Sequence, residues 1–353
     1  MSPIQGFVRL RRHQFGRQAS FGTRVAAVRA YPFKGVPAHN LNWTDPDIDV
    51  GSIDPVAAPY RLAPDLTAPL TDPALRYNSL PLMLSGIFGG GITPTGGGTA
   101  KTWAYAPASV TVDDFDVFTY EFGDDVVEDW FQDGDGILES LEISGPEGLG
   151  PLTGSMGWRF GSIASSGSTD SPDSPTVPTS LSVDPNEAIV YLKDGAIYIA
   201  DDPYDLDAGQ ITDALHSFVL RVNQTVDQKR FANGAQTFDI DAYGRGPRTI
   251  ELEATYAKTT QTVGLTSESD DWMLDQSKDR YISVRFESTS VAETPSTFYS
   301  WNFTMPARYY TRTEGEVGGN TVVVLTAHAF YDATTFDGVF TSDVVNTLTN
   351  AEL

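Results

Sequence analysis

Histidine is the side chain most often used for acid–base and metal chemistry near neutral pH, and this 353-residue chain has four, at His13, His39, His216 and His328. They are widely spaced, and none lies in an HxxxH or HExxH motif that would put two imidazoles on one helix face. Cysteine is absent, which excludes disulfides, thiolate zinc sites and cysteine nucleophiles together. The composition therefore predicts no catalytic residue, no metal site and no cofactor.

The run Asp133-Gly134-Asp135-Gly136 resembles part of a calcium-binding loop. If Gly136 is the turn glycine, Asp133 and Asp135 fall at ligand positions, but Phe131 occupies the first one. We expect a tight turn that leads into a strand beginning at Ile137.

The glycine-rich stretch 89–101 (GGGITPTGGGTAK) invites comparison with a phosphate-binding loop. That loop requires glycine directly before the lysine, whereas Ala100 precedes Lys101, and no apolar strand leads into the stretch. The pattern favours an exposed loop.

Carboxylate clusters are the remaining candidates for acid–base chemistry. Nothing in the sequence distinguishes one glycosidase-like pair, because clusters are expected by chance in so acidic a chain. No GxSxG nucleophile motif occurs either. We therefore predict that the chain is not an enzyme; the clusters considered were Asp113, Asp114, Asp124, Asp125, Asp201 and Asp202.

The formal net charge is −24, from 47 acidic and 23 basic residues, of which only six are lysine. Two origins fit this composition, a halophilic setting in which carboxylates keep the surface hydrated, or a high-GC genome that favours arginine codons. Either way, the folded body should repel nucleic acid. No apolar run approaches the roughly 18 residues of a membrane helix, and no apolar stretch follows the basic segment 9–17 as in a signal peptide, so we expect neither membrane insertion nor export.

The positive charge is concentrated at the start of the chain. Residues 1–44 carry +7 and the remainder carries −31 (16 basic minus 47 acidic). This asymmetry predicts a basic arm that lies on the acidic body of another copy; a solvated leader and a nucleic-acid-binding arm are the alternatives. We expect deletion of residues 1–30 to leave a folded, monomeric or ring-only protein that no longer polymerises. The predicted contact residues are Arg9, Arg11, Arg12, Arg17, Arg24 and Arg29.

Period-2 alternation of apolar and polar residues dominates the chain and predicts an antiparallel sheet with one wet face. The clearest segments are 249–256, 281–287, 299–305, 118–122 and 152–160. The segment 321–331 is apolar on both faces, which indicates burial between sheets or at a subunit contact. The segment 190–200 predicts a hairpin that turns at Asp194-Gly195.

Helical signal is limited to two short segments. The first, 79–88, has Ser79 as its N-cap and glycines 89–91 as its stop. The second spans about 267–277. Each follows strands and precedes further strands, so the two halves of the chain resemble each other in outline. We predict four regions: a basic arm (1–44), a β domain (45–164), an acidic Ser/Pro-rich linker with a hairpin insert (165–210) and a second, related β domain (211–353).

Several stretches resemble the tail tube (major tail) proteins of long-tailed, siphovirus-like viruses of bacteria or haloarchaea. The N-terminal segment QASFGTRVAAVRAYPF (18–33), the helical segment YNSLPLMLSGIFGG (77–90) and the run DGILESLEISGPEGLGPLTGSMGWRFG, which ends at Gly161, are similar to that family. So is the C-terminal FYSWNFTMPARYYTRTEGE, followed by a long apolar strand. The resemblance covers about two thirds of the chain, and the region 165–210 departs from the family pattern.

The resemblance implies an antiparallel β-sandwich or split-barrel subunit, in two tandem copies with one short helix each. Subunits of this family join into rings, and the rings stack into a hollow tube through which genomic DNA passes without specific binding. It also implies assembly in the host cytoplasm, a place in the virion tail, and the tape measure and tail terminator proteins as partners. Three tandem chains or six single ones would complete a ring.

One polar strand face should then line the lumen. We expect that face to include Glu251, Glu253, Arg285 and Glu287, on two strands predicted to be neighbours. Two alternative functions are a capsid-decorating or surface-layer protein, and a secreted carbohydrate-binding protein.

Overall fold

The computed structural model describes residues 11–40, 42–44, 60–89, 93–107, 116–124, 129–165, 181–212, 214–231, 240–259, 279–293 and 296–353. Every strand pairing among these residues is antiparallel. The chain is mainly β, as its alternating pattern predicts, with one α-helix in the described part.

The elements follow one another in a regular order along the chain. The strands are β1 (Arg11–Arg17), β2 (Arg29–Tyr31), β3 (Lys34–Gly35), β4 (Ala38–Asn40), β5 (Trp43–Thr44), β6 (Tyr60–Arg61), β7 (Asp65–Asp72), β8 (Lys101–Tyr105), β9 (Phe118–Asp124), β10 (Asp129–Gly145), β11 (Thr153–Phe160), β12 (Ser162–Ser165), β13 (Gly195–Ala200), β14 (Gln210–Ile211), β15 (Leu215–Lys229), β16 (Ala242–Ala257), β17 (Arg280–Glu293), β18 (Thr297–Val317), β19 (Asn320–Ala329) and β20 (Thr341–Asn346). The helix α1 is Leu80–Phe88, and short 3-10 turns are Leu192–Asp194, Pro203–Ala208 and Asn350–Glu352.

Most strands belong to one hydrogen-bonded network with three parts. The front sheet has the order β3 and β4, β7, β11, β10, β15, β16, β19, β18. The first back sheet has the order β2, β1, β9, β10, β12. The second back sheet has the order β14, β13, β17, β18, β20, β8.

The long strands β10 and β18 each belong to two sheets. The part of β10 up to Gly136 pairs with β9, and the part from Ile137 pairs with β11. Likewise, β18 pairs with β17 up to Ala307 and with β19 from Ala307 onward. A register shift follows each crossing, between Leu138 and Ser140 in β10 and between Tyr309 and Thr311 in β18. These two strands therefore connect the front sheet to the back sheets.

Apolar residues of the front and back sheets face each other and form one continuous core. In the first half, the ring of Phe15 on β1 lies 5.1 Å from that of Trp158 on β11. In the second half, Phe218 on β15 lies 5.7 Å from Phe286 on β17. The predicted alternation is confirmed along β16, where the apolar residues are buried and their neighbours are partly exposed. It is wrong for β9, whose Glu121 is only 3% exposed.

The helix α1 fills the interior beneath the front sheet, and all nine of its residues are buried. It begins after Ser79, whose side chain makes no capping hydrogen bond, and ends at Gly89, which has φ of 71°. Gly86 lets the helix approach β11, since a Cβ there would lie 2.8 Å from the Trp158 ring. This helix agrees with the sequence prediction, whereas the predicted helix over 267–277 lies outside the described residues.

Two local predictions differ from the structure. The segment 190–200 is not a hairpin: the Val190 amide donates to the Leu75 carbonyl and its carbonyl accepts from the Leu152 amide, and only β13 continues as a strand, between β14 and β17. The strand β19 lies between β16 and β18 in the front sheet, with Val323 and Leu325 buried on the core face. On its other face Val322 is also buried, whereas Val324 is half-exposed, so the predicted burial on both faces holds for only part of the strand.

Candidate functional site

The outer face of the front sheet is polar and rich in paired charges. Outward-facing side chains alternate with buried ones along β7, β11, β15 and β16. Glu251 and Glu253 lie on this face, each half-exposed between the buried Ile250, Leu252 and Ala254.

Arg221 on β15 is the centre of the larger charge cluster on this face. Its Nη1 lies 2.8 Å from Glu251 Oε1 and 3.3 Å from Glu253 Oε2, and its Nε lies 3.1 Å from Glu142 Oε2. The guanidinium thus bridges β10, β15 and β16. Glu251 also lies 3.2 Å from His328 Nε2, and the His328 ring stacks on the exposed Tyr310.

Arg159 on β11 holds a second cluster. Its Nε donates to Glu139 Oε1 at 2.6 Å, and its Nη1 lies 3.0 Å from Asp65 Oδ1. Together the two clusters contain two arginines and five carboxylates, a formal charge of −3. Because exposed ion pairs contribute little to stability, this arrangement is better suited to setting the electrostatic character of the face than to holding the fold together.

The other two predicted lumen residues lie elsewhere. The strands β16 and β17 are consecutive in the described part of the chain but are not neighbours, because β16 pairs with β15 and β19 while β17 pairs with β13 and β18. Arg285 therefore lies in the second back sheet, where it stacks on Tyr198 and lies 2.6 Å from Asp207. Glu287 is exposed on the same strand. The grouping of all four residues on one face is wrong.

The basic N-terminal segment is not a separate arm over the residues that the structure describes. The strand β1 pairs with β2 and β9, and Phe15 at its centre is fully buried. Arg17 Nη2 lies 2.6 Å from Asp116 Oδ1, and Arg29 forms an ion pair with Glu187 of its own chain.

The other predicted arm residues also contact their own chain where they are described. The guanidinium of Arg11 lies over the Phe122 ring, and the side chain of Arg24 packs against Gly134. Arg12 lines a groove next to Lys34, and Arg9 lies outside the described residues. Whether any of them contacts a second copy stays a prediction.

A buried polar layer lies beneath β1 and β9, and the sequence pattern offers little sign of it. His13 Nδ1 lies 2.8 Å from the Tyr120 hydroxyl, and His39 Nε2 lies 2.9 Å from Asp133 Oδ2. Burial raises the pKa of Asp133 above its usual value, and the neighbouring His39 and Arg24 offset only part of this rise. The run Asp133–Gly136 is thus not an exposed turn but an irregularity inside β10, where Asp135 has φ of 55°.

His13 should make stability depend on pH. Burial, assisted by the charge of Arg11, lowers its pKa from 6.5 to about 4. The unfolded chain therefore binds the proton first, and stability is lost as the pH falls from about 6.5 towards 4. Between pH 7 and pH 5, we expect this group to remove roughly 2 kcal/mol of unfolding free energy, and His13→Gln should abolish that part of the loss.

Denaturant unfolding at the two pH values measures this effect. His216→Gln is the matched control, because His216 is half-exposed on β15. A His13→Gln variant with the same pH dependence as the natural chain would contradict the assignment.

No family model matches this chain, and no curated protein matches it. Within the described ranges, no group of three or more His, Asp or Glu side chains is placed to hold a metal ion. No helix in the same ranges has the length and apolar character needed to cross a membrane.

Proposed function

We propose that this chain is a structural virion protein whose copies join into rings, and that the rings stack into the hollow tail tube through which viral DNA passes. The observation that carries the proposal is a repeat in the strand pairing. This repeat supports the tandem split-barrel subunit that the resemblance to tail tube proteins implies.

Seven pairings of the first half recur, in the same chain order, in the second. The strands β1, β2, β7, β9, β10, β11 and β12 correspond to β13, β14, β16, β17, β18, β19 and β20, and β3 with β4 corresponds to β15. Even the register shift after the sheet crossing recurs, in β10 and in β18. Two similar units following each other in one chain explain this pattern.

The two units are joined through the backbone of the front sheet. Strand β10 of the first unit pairs with β15 of the second, over Ser140–Gly145 and Phe218–Asn223. The contact uses different edges of the two units, so it is head-to-tail, and head-to-tail contacts close into rings when the rotation permits. Closure also leaves the front sheet without a free edge to aggregate. Three chains would supply six units to a ring.

The charged outer face of the front sheet is our candidate for the lumen wall. Its Arg221 and Arg159 clusters carry net negative charge, so the face should not hold DNA by counterion release. In concentrated salt the Debye length falls to about 3 Å, so repulsion would act only close to the wall. A DNA conduit needs such weak contacts. Tape measure and tail terminator proteins are the expected partners, and the virion tail is the expected location.

Electron microscopy of the concentrated protein tests the assembly. We expect hollow tubes of stacked rings; flat sheets or caps would instead favour a surface-layer or decorating protein, and a sample that stays monomeric would remove the proposal.

The lumen assignment has its own test in assembled tubes. The double substitution E251K/E253K changes the charge of the two clusters from −3 to +1, and we expect tubes of this variant to bind DNA at low salt on the order of tenfold more tightly. The matched control is D207K/E287K, which reverses two exposed carboxylates on the second back sheet side. Equal DNA binding by both variants would place the charged face outside the lumen.

A further inference from the structure

The front sheet has an unpaired edge at each end within the described residues. There, β3 and β4 pair only with β7, and residues 308–317 of β18 pair only with β19. We propose that these edges pair with each other between copies, so that residues 311–316 of one chain lie antiparallel to residues 35–40 of a second copy of this chain. This inference rests on the proposed ring assembly and specifies its contact.

The chain itself contains the template for this contact. The second part of β10 corresponds to the second part of β18, and β15 corresponds to β3 with β4. Because β10 and β15 pair within the chain, the same geometry would bring β18 of one copy to β3 and β4 of the next. Backbone pairing at a free sheet edge is an established mode of association.

The repeat also sets the register of the proposed contact. The matching register shifts align Ser140–Gly145 with Thr311–Glu316. Counting along β11 and β19 shows that Thr67 on β7 and Glu251 on β16 hold the same position in the repeat. Ala38 is the backbone partner of Thr67, and Arg221 is the backbone partner of Glu251, so Ala38 corresponds to Arg221. Arg221 lies directly opposite Glu142. The register therefore predicts Thr313 opposite Ala38.

Side-chain exposure agrees with this register. Val219 on β15 is half-buried beside β10, whereas its counterpart Val36 is 51% exposed. On the other edge, Tyr310 next to the register shift of β18 is 72% exposed. Both apolar side chains lie at edges that a second copy would cover, and covering them would remove apolar surface from water.

The two edges carry net charges of opposite sign, which favours their contact. Residues 34–40 contain Lys34 and no carboxylate, while residues 311–316 contain Glu314, Glu316 and Arg312. Pro37, the counterpart of Leu220, has no amide N–H to donate, so we expect fewer hydrogen bonds than at the contact between β10 and β15. A proline on an edge also disfavours indiscriminate strand pairing.

Because the chain has no cysteine, engineered disulfides give a clean test. Opposite residues in antiparallel strands have Cα atoms about 4.5–5.5 Å apart, which is within disulfide range. Ala38 and Thr313 are both exposed. After mild oxidation of assembled A38C/T313C, we expect a ladder of linked chains that ends at three. A mixture of the two single variants should stop at a dimer, and A38C/T289C, with its second thiol at an exposed position of β17, should stay unlinked.

The outcomes separate this inference from the proposed function. If tubes form but A38C/T313C does not link, or if A38C alone links as efficiently, the edge pairing is overturned and ring assembly stands. If the natural chain forms neither rings nor tubes, the proposed function fails, and this inference fails with it.

Discussion

We expect Phe15→Ala to lower the unfolding free energy of this chain by about 3–5 kcal/mol, the usual cost of truncating a buried aromatic side chain. Phe15 is fully buried, and its ring lies 4.8 Å from that of Tyr120 and 5.1 Å from that of Trp158. The methyl group of alanine would leave a cavity between β1, β9 and β11. Since domains are typically stable by only about 5–15 kcal/mol, urea unfolding should detect the loss easily.

Arg11→Ala provides the control on the same strand. Arg11 is half-exposed, and its guanidinium lies over the Phe122 ring at 5.8 Å. We expect its loss to cost less than about 1 kcal/mol. If Phe15→Ala were equally mild, residues 11–17 would behave as the detachable arm that the charge pattern predicts. For the same reason, deletion of residues 1–30 should unfold the protein, contrary to the expectation from sequence.

The charge pattern of the N-terminal segment gives no sign of β1, because net charge does not depend on which strands pair. In β1, the arginines lie at the two ends of the strand and reach solvent or acidic partners, while His13, Gln14 and Phe15 between them are buried. Gly16 is buried as well, and four consecutive buried residues show no period-2 alternation. The central place of β1 follows instead from its pairing with β9, about a hundred residues away in the chain.

Local patterns predicted α1 and several strands, among them β9, β11, β16 and β17, since periodicity and capping depend on nearby residues. They could not predict which strands pair. The predicted lumen face failed on that point, because β16 and β17 lie in different sheets while Glu251 is joined through Arg221 to Glu142 on a distant strand. The recurrence in the strand pairing was visible in the sequence only as an outline, because it lies in the pairing order rather than in residue identity.

Asn346→Leu should be nearly as damaging as Phe15→Ala, through unsatisfied hydrogen bonds rather than a cavity. Asn346 is fully buried. Its Oδ1 accepts from Trp103 Nε1 at 3.1 Å and from the Leu348 amide at 3.0 Å, and its Nδ2 donates to the Tyr77 carbonyl at 3.0 Å. Leucine has a similar size but leaves all three groups unpaired, at about 1–3 kcal/mol each. We expect a total loss of at least about 3 kcal/mol in urea unfolding.

Asn223→Leu is the matched control, because Asn223 is exposed on the polar face of β15, and we expect a change within about 0.5 kcal/mol. A double-mutant cycle with Trp103→Phe then isolates one of the lost bonds. In the Trp103→Phe background there is no indole N–H left unpaired when the Asn346 acceptor is removed. The double variant should therefore lose less unfolding free energy than the two single variants lose in sum. Strict additivity would contradict the hydrogen bond between β8 of the first unit and β20 of the second.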